Sequence, residues 1–165
     1  MNKEQKIVHP IPPLYTEESE ILILGSFPSV KSRESAFFYG HPQNRFWKVM
    51  AAVFEDSVPR DVPERREFLI RHHIAAWDVI RSCTIRGSSD ASIKDVVAND
   101  LTPILDSAPI RQIFVNGKTA EKMYRKYIEP KIGRKAVCLP STSPANAAWS
   151  LERLTDAWKC VRSSQ

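Results

Sequence analysis

Residues 21–29, Ile21-Leu22-Ile23-Leu24-Gly25-Ser26-Phe27-Pro28-Ser29, are the stretch on which the fold turns. Four consecutive apolar residues are too few for a helix, and their isoleucine content suits a strand buried on both faces. Gly25 to Ser29 then breaks the run, as a loop at the C-terminal end of a parallel strand does. In open α/β sheets the crevice beyond those ends is where ligands bind. The same pattern of strand and break recurs downstream. Ile74 to Ile80 runs into a polar loop over Arg81 to Ala91, Ile110 to Val115 into Asn116-Gly117, and Ala136 to Leu139 into Pro140 to Asn146.

Helical patterns lie between these strands. Pro42 suits a first helical position, and Phe46, Met50 and Val53, with Val49 and Phe54 beside them, give that helix a buried face. Asn44 and Arg45 then fall in its first turn and lean back over the Gly25–Ser29 loop. Val62 to His72 reads as a short charged helix. Ser92 followed by Asp95 resembles a helix start, with Ile93, Val96 and Val97 on one face, and Asn99 is expected to cap a further helix through Leu101, Ile104 and Leu105. Ala120, Met123, Tyr124 and Tyr127 mark another, and Leu151, Leu154, Trp158 and Val161 the last. Residues 1–20 form an extended arm, because His9-Pro10-Ile11-Pro12-Pro13 cannot be helical. The alternation predicts one α/β domain over residues 1–165: a three-layer α/β/α sandwich around a central, mainly parallel four-stranded sheet. A lone buried carboxylate is costly, so Trp77 and Asp78 are expected at the C-terminal end of their strand, in the same crevice.

With 165 residues, 42% hydrophobic and 26% charged, the chain has the balance of a globular domain. A net charge of +5 is compatible with a phosphate-bearing partner and does not by itself demand one. Cys83, Cys138 and Cys160 form no Cys-x-x-Cys pair, so neither a metal site nor a disulfide scaffold is indicated. No apolar run is long enough to span a membrane, and the polar N-terminus lacks a signal peptide's apolar core, so a soluble cytoplasmic protein is expected. There is no G-x-G-x-x-G, no P-loop and no G-x-S-x-G elbow. A receiver-type domain is disfavoured because the first strand ends in Gly-Ser-Phe rather than in acidic residues. His9, His72 and His73 read as solvated or structural. Taken singly, Phe37, Phe38 and Tyr39 suit a core, Asn44 a local cap, Trp77 packing, and Ser141 to Ser143 a plain turn as readily as a phosphate site.

Three segments taken together carry a resemblance: GSFPS at Gly25 to Ser29, FFYGHPQNRFW at Phe37 to Trp47, and LPSTSPAN at Leu139 to Asn146. They resemble the uracil-DNA glycosylase superfamily, and within it the hypoxanthine-DNA (deoxyinosine) glycosylase branch, related to the mismatch-specific uracil/thymine glycosylases. The likeness runs from about Ile21 to the last helix. It implies a monofunctional enzyme that flips a deaminated base out of DNA and hydrolyses its glycosidic bond, hypoxanthine first and uracil as a further candidate. No cofactor and no metal are implied. The implied partner is double-stranded DNA containing a damaged base, with single-stranded DNA also a candidate, met by a monomer without a membrane. The best-known superfamily members carry Asp or Asn at the position of Phe27 to orient the attacking water, which a phenyl ring cannot do. In the hypoxanthine branch that role is attributed to the asparagine of the Asn-Arg-Phe-Trp segment, here Asn44. A neutral amide is no base, so Asn44 is expected to position water against an oxocarbenium-like sugar, with Asp78 the nearest carboxylate for electrostatic help.

A flipped base needs a pocket with a stacking face and with donors for the charge it gains on leaving. Gly25, Ser26, Phe27, Pro28, Phe38, Tyr39, Trp77 and Asn116 are the residues expected to form it. Ser29, Lys31, Arg33, Arg86 and Lys118 are expected on DNA. So are Ser141, Thr142 and Ser143, as phosphate donors, and Pro144, Ala145 and Asn146, as a wedge. The competing reading from another class is a non-catalytic module of the same fold that binds lesions or nucleic acid.

Overall fold

The computed structural model describes residues 3–165. At its centre, β2 (Ile21–Gly25) is flanked on one side by β3 (Ile74–Asp78) and on the other by β6 (Gln112–Asn116), which in turn pairs with β7 (Ala136–Leu139). All three pairings are parallel. Ile21 to Leu24 have no solvent exposure at all, as expected of a central strand covered on both faces. Their side chains alternate between two cores. Ile21 and Ile23 join α2 (Phe46–Val53), α3 (Val62–Arg71) and α7 (Leu151–Ser163) through Phe46, Met50, Phe68, Leu154 and Trp158. Leu22 and Leu24 join α4 (Thr102–Ser107) and α5 (Lys118–Tyr127) through Ile104, Ala120 and Tyr124. Two short helices, α1 (Val30–Ser35) and α6 (Glu129–Ile132), follow β2 and α5. This is the expected three-layer α/β/α sandwich around a parallel four-stranded sheet.

A second sheet was not expected. β1 (Glu4–Val8), β4 (Ile80–Arg86) and β5 (Lys94–Ala98) form an antiparallel three-stranded sheet with β4 in the middle. The polar loop expected from Arg81 is therefore a strand as far as Arg86, its buried residues Ile80, Ser82, Cys83 and Ile85 packed under exposed Arg81 and Arg86. The helix expected from Ser92 is instead a short turn followed by β5. The Ser92 hydroxyl closes the hairpin by accepting from Arg86 N (2.8 Å) and donating to the Ser89 carbonyl (2.7 Å). Pairing with β4 prevails over a weak local cap signal, and Val96 and Val97 are β-branched residues at ease in a strand. Asn99 does not cap α4. It is buried, and its amide donates to the carbonyls of Asp78 (2.8 Å) and Ile80 (3.2 Å), holding the β3–β4 junction.

One boundary also moves. The helix expected from Pro42 begins at Phe46, so Asn44 and Arg45 precede α2 rather than lie in its first turn. The reason is local: Asn44 Oδ1 accepts from Phe46 N at 2.9 Å, and Arg45 N donates to the Thr142 carbonyl at 3.0 Å, outside the helix. The N-terminal arm runs along the free edge of β3, where Leu14 and Ala76 exchange backbone hydrogen bonds of 3.0 and 2.9 Å. It thereby covers an edge that would otherwise offer unpaired backbone groups. No helix among the described residues is long and apolar enough to cross a membrane.

Candidate active site

Parallel pairing brings the C-terminal ends of the four strands to one edge. The register sets Gly25 beside Asp78 and Asn116 beside Leu139. A cavity of about 350 Å³ opens there, within the range of roughly 300–1,000 Å³ usual for small-molecule sites. Gly25 to Ser29 form one wall, Phe38, Tyr39, His41 and Asn44 another, and Asn116 with Ser141 to Ala145 a third. Asp78, Ser88 and Asp90 complete it. A side chain at Gly25 would force Asp78 to move, because a Cβ there would stand 2.4 Å from Asp78 Oδ1.

Asn44 is held by a chain of hydrogen bonds whose polarity is fixed at both ends by backbone N–H groups. Thr142 N donates to Asn116 Oδ1 (3.1 Å), so the Asn116 amide nitrogen is the atom that donates to Thr142 Oγ1 (3.0 Å). The Thr142 hydroxyl then donates to Asn44 Oδ1 (2.8 Å), which also accepts from Phe46 N. Both lone pairs of the Asn44 oxygen are thus occupied, and its NH₂ is the group left for a ligand. Arg45 holds the opposite wall: its guanidinium donates to the carbonyls of Ser143 (3.5 Å), Asn146 (3.0 Å) and Trp149.

Asp78 is only 4% exposed, and its partner was invisible in the sequence. His9 Nε2 lies 2.7 Å from Asp78 Oδ2, with the imidazole itself 2% exposed. Asp90 contributes a second carboxyl to the cavity and accepts from the Ser26 hydroxyl at 3.2 Å. Although Asp90 sits on an exposed loop, desolvation raises its carboxyl above the usual range. The Asp78 charge adds to this, and the Ser26 and Thr119 hydroxyls oppose it. Tyr39 stacks its ring on Phe46 at 3.9 Å. Burial, and then the Asp78 charge, keep its hydroxyl protonated, against a smaller opposite pull from Asn116.

A family model described as the uracil DNA glycosylase superfamily matches residues 12–163. The chain belongs to the uracil DNA glycosylase superfamily. It is 34% identical over 149 residues to a protein of Methanosarcina barkeri named hypoxanthine DNA glycosylase, covering 89% of this chain and 92% of the relative. It is 32% identical over 152 residues to a protein of the same name from Methanosarcina acetivorans, covering 91% and 94%. The solution NMR structure of a candidate uracil DNA glycosylase from Methanosarcina acetivorans superposes with a TM-score of 0.80 at 29% identity, covering 96% of this chain and 99% of that one.

In this member of the superfamily, most of the residues singled out from the sequence meet at the cavity, and several do not. Trp77 does not line it. Its indole donates to the Ile11 carbonyl at 3.1 Å and fastens the N-terminal arm. Thr142 is fully buried, so its hydroxyl serves the Asn44–Asn116 chain and not a phosphate. Asn116 is likewise committed to Thr142. Arg33 is half-buried, donating to the Gly87 carbonyl (3.0 Å) with its guanidinium 5.7 Å from the Phe27 ring centroid. Arg86 is exposed beside Glu4 at 3.8 Å, Lys31 pairs with Glu34 at 3.5 Å, and Lys118 is exposed at the start of α5. Asn146 braces the loop through the Ser141 carbonyl (2.9 Å) rather than facing the cavity. His9, His41, Ser88, Asp90 and the clamp by Arg45 were missed. His41 and Arg45 lay within the quoted Phe37–Trp47 segment, and Ser88 and Asp90 in the polar Arg-Gly-Ser-Ser-Asp loop after a strand, whereas His9 carried no signal. Among the described residues, no group of three or more His, Cys, Asp or Glu could hold a metal ion.

Proposed function

We propose that this chain is a monofunctional DNA glycosylase that flips a deaminated base into the cavity at the strand ends and hydrolyses its N-glycosidic bond, leaving an abasic site. The relatives' names favour hypoxanthine as the base, and the superfamily's name makes uracil the second candidate. The observation that carries the reading is the pairing of an amide donor, Asn44, and a carboxylate, Asp78, in one cavity with aromatic walls. Phe27 and Phe38 offer apolar surface to a base plane. The backbone of the Ser26-Phe27 turn borders the space in which a leaving base gains negative charge, where fixed N–H dipoles are most effective. A carboxylate beside a sugar that becomes cationic lowers the same barrier from the other side. The substrate is duplex DNA met by a monomer, with Ser141, Ser143, Pro144 and Ala145 on the cavity rim facing the backbone and the gap left by the base.

The test is base release. End-labelled duplexes carrying deoxyinosine, uracil or xanthine are incubated with the protein and then treated with alkali. Scission at deoxyinosine is expected. Binding to these duplexes with no scission at any of them overturns the enzyme in favour of a lesion-binding module.

A further inference from the structure

We propose that His9, brought in by the N-terminal arm, is a positioning residue that aims the Asp78 carboxylate at the attacking water. This rests on the hydrolytic reading above and assigns its water-activating group.

The imidazole is defined atom by atom. Ile11 N donates to His9 Nδ1 at 3.1 Å, so Nδ1 carries no proton. The ring proton is therefore on Nε2, which donates to Asp78 Oδ2 at 2.7 Å. The ring cannot turn away from this position. Phe27 and Trp77 pack edge-on against it at 5.8 and 6.2 Å between centroids, and the indole of Trp77 pins the arm at Ile11. The His9 backbone N–H donates to Arg81 O at 2.7 Å. From the other side Asn99 holds the Asp78 carbonyl. The carboxylate is thus oriented through both its side chain and its main chain.

A neutral imidazole suits this purpose better than a cation. It fixes one carboxylate oxygen without cancelling the charge, whereas an arginine would neutralise it and weaken Asp78 as an acceptor. Oδ1 is left beside Gly25, on the cavity wall. Asn44 cannot be that acceptor, since its oxygen already takes Phe46 N and the Thr142 hydroxyl. Its NH₂ can donate to one lone pair of a water whose proton points to Asp78 Oδ1, leaving the second lone pair for C1′. In the step itself the C1′–N bond breaks with its electron pair on the base, and the water oxygen bonds to C1′. The water proton passes to Asp78 Oδ1 and on to solvent, and the departed base takes up a proton, so water adds across the bond.

The two amides that can replace His9 separate its two bonds. Gln places an N–H donor at the reach of Nε2 toward Asp78, whereas Asn reaches only the level of Nδ1 and the Ile11 N–H. Single-turnover excision of deoxyinosine, DNA affinity and thermal melts are measured on the full chain for wild type, His9→Asn, His9→Gln, Asp78→Asn and the double variant His9→Asn/Asp78→Asn. Asp78→Asn is expected to lose about a hundredfold or more in rate with DNA affinity unchanged. His9→Asn is expected to lose about tenfold, His9→Gln to recover most of that loss, and the double variant to be no slower than Asp78→Asn. Equal losses in His9→Asn and His9→Gln that track a fall in melting temperature overturn the positioning role, as does an additive double variant. An active wild type with an equally active Asp78→Asn overturns the assignment of the water while leaving the glycosylase standing. A wild type without excision on any base removes both.

Discussion

The hydroxyl of Thr142 donates to Asn44 Oδ1 at 2.8 Å across 98 residues of sequence, and through it a residue before α2 is oriented by the loop after β7. Thr142→Val keeps the shape and removes that link. It leaves the Asn44 oxygen with one donor and the Asn116 amide with no acceptor there, a cost of about 1–3 kcal/mol for a buried polar group. A lower melting temperature and a reduced rate of base release are expected together. Asn44→Ala removes the donor itself. It is expected to lower single-turnover excision by about a hundredfold or more with DNA affinity near that of wild type. An Asn44→Ala enzyme as fast as wild type would place the chemistry elsewhere in the cavity.

Gly25→Ala tests the closest approach in the site. The added methyl would meet Asp78 Oδ1 at 2.4 Å and the Tyr39 hydroxyl at 3.4 Å, so the carboxylate must move. Overpacking of this kind costs about 1–3 kcal/mol. The rate is expected to fall further than this stability loss explains, by about tenfold or more at a temperature where the variant is fully folded. Rate and stability measured on the same preparation separate the two effects.

Arg45→Lys isolates the fork that braces the rim. A guanidinium can reach three carbonyls from one plane, and an ammonium cannot. Faster proteolysis within residues 143–149 and weaker DNA binding are expected, with a smaller change in the rate at saturating enzyme. Unchanged DNA binding would remove this loop from the DNA interface.

Asp90→Asn makes a pH-dependent difference whose sign follows from the raised carboxyl. The folded protein binds that proton more tightly than the unfolded chain does. The stability linked to this group is therefore fully present below the unfolded carboxylate value of about 4, and is lost as pH rises through the native value. Asp90→Asn escapes that loss. Its melting temperature at neutral pH is expected to equal or exceed that of wild type, with the advantage disappearing below about pH 4. A deficit that instead grows as pH rises above about 4 would mean that the Ser26 bond outweighs the desolvation.

The cations separate by salt dependence. Lys118 is exposed beside Gly117, whose backbone lies against Ser141. Lys118→Ala is expected to weaken DNA binding at all sequences and to reduce the salt slope by about 1. Arg33 is committed to the Gly87 carbonyl and the Phe27 ring. Arg33→Ala is expected to lower the melting temperature and leave the slope unchanged. Affinities titrated against salt concentration check both.

What the sequence determined by itself is the parallel sheet and its loaded edge. Ile21 to Leu24 can be satisfied only by burial on both faces, and the breaks at Gly25, Asn116-Gly117 and Pro140 fall where parallel strands end together. That was enough to put Asn44, Asp78 and the Ser141–Ala145 loop in one place. Only the tertiary structure decided the antiparallel sheet, because β4 and β5 owe their state to each other and to β1, and the local signal at Ser92 pointed to a helix. It also decided what each polar atom is free to do. The sequence cannot show that the oxygen of Asn44 is used up by Phe46 N and Thr142 while its NH₂ is left. Nor can it show that Trp77 faces the arm instead of the cavity. His9 was least legible of all: it lies 69 residues from Asp78 in a proline-rich arm with no periodicity. Its pairing exists only because β1 pairs with β4 up to the His9–Arg81 backbone bond and the arm then runs along the free edge of β3 at Leu14, so that a hydrogen bond between chain segments with no local preference for each other becomes a fixed contact at the cavity.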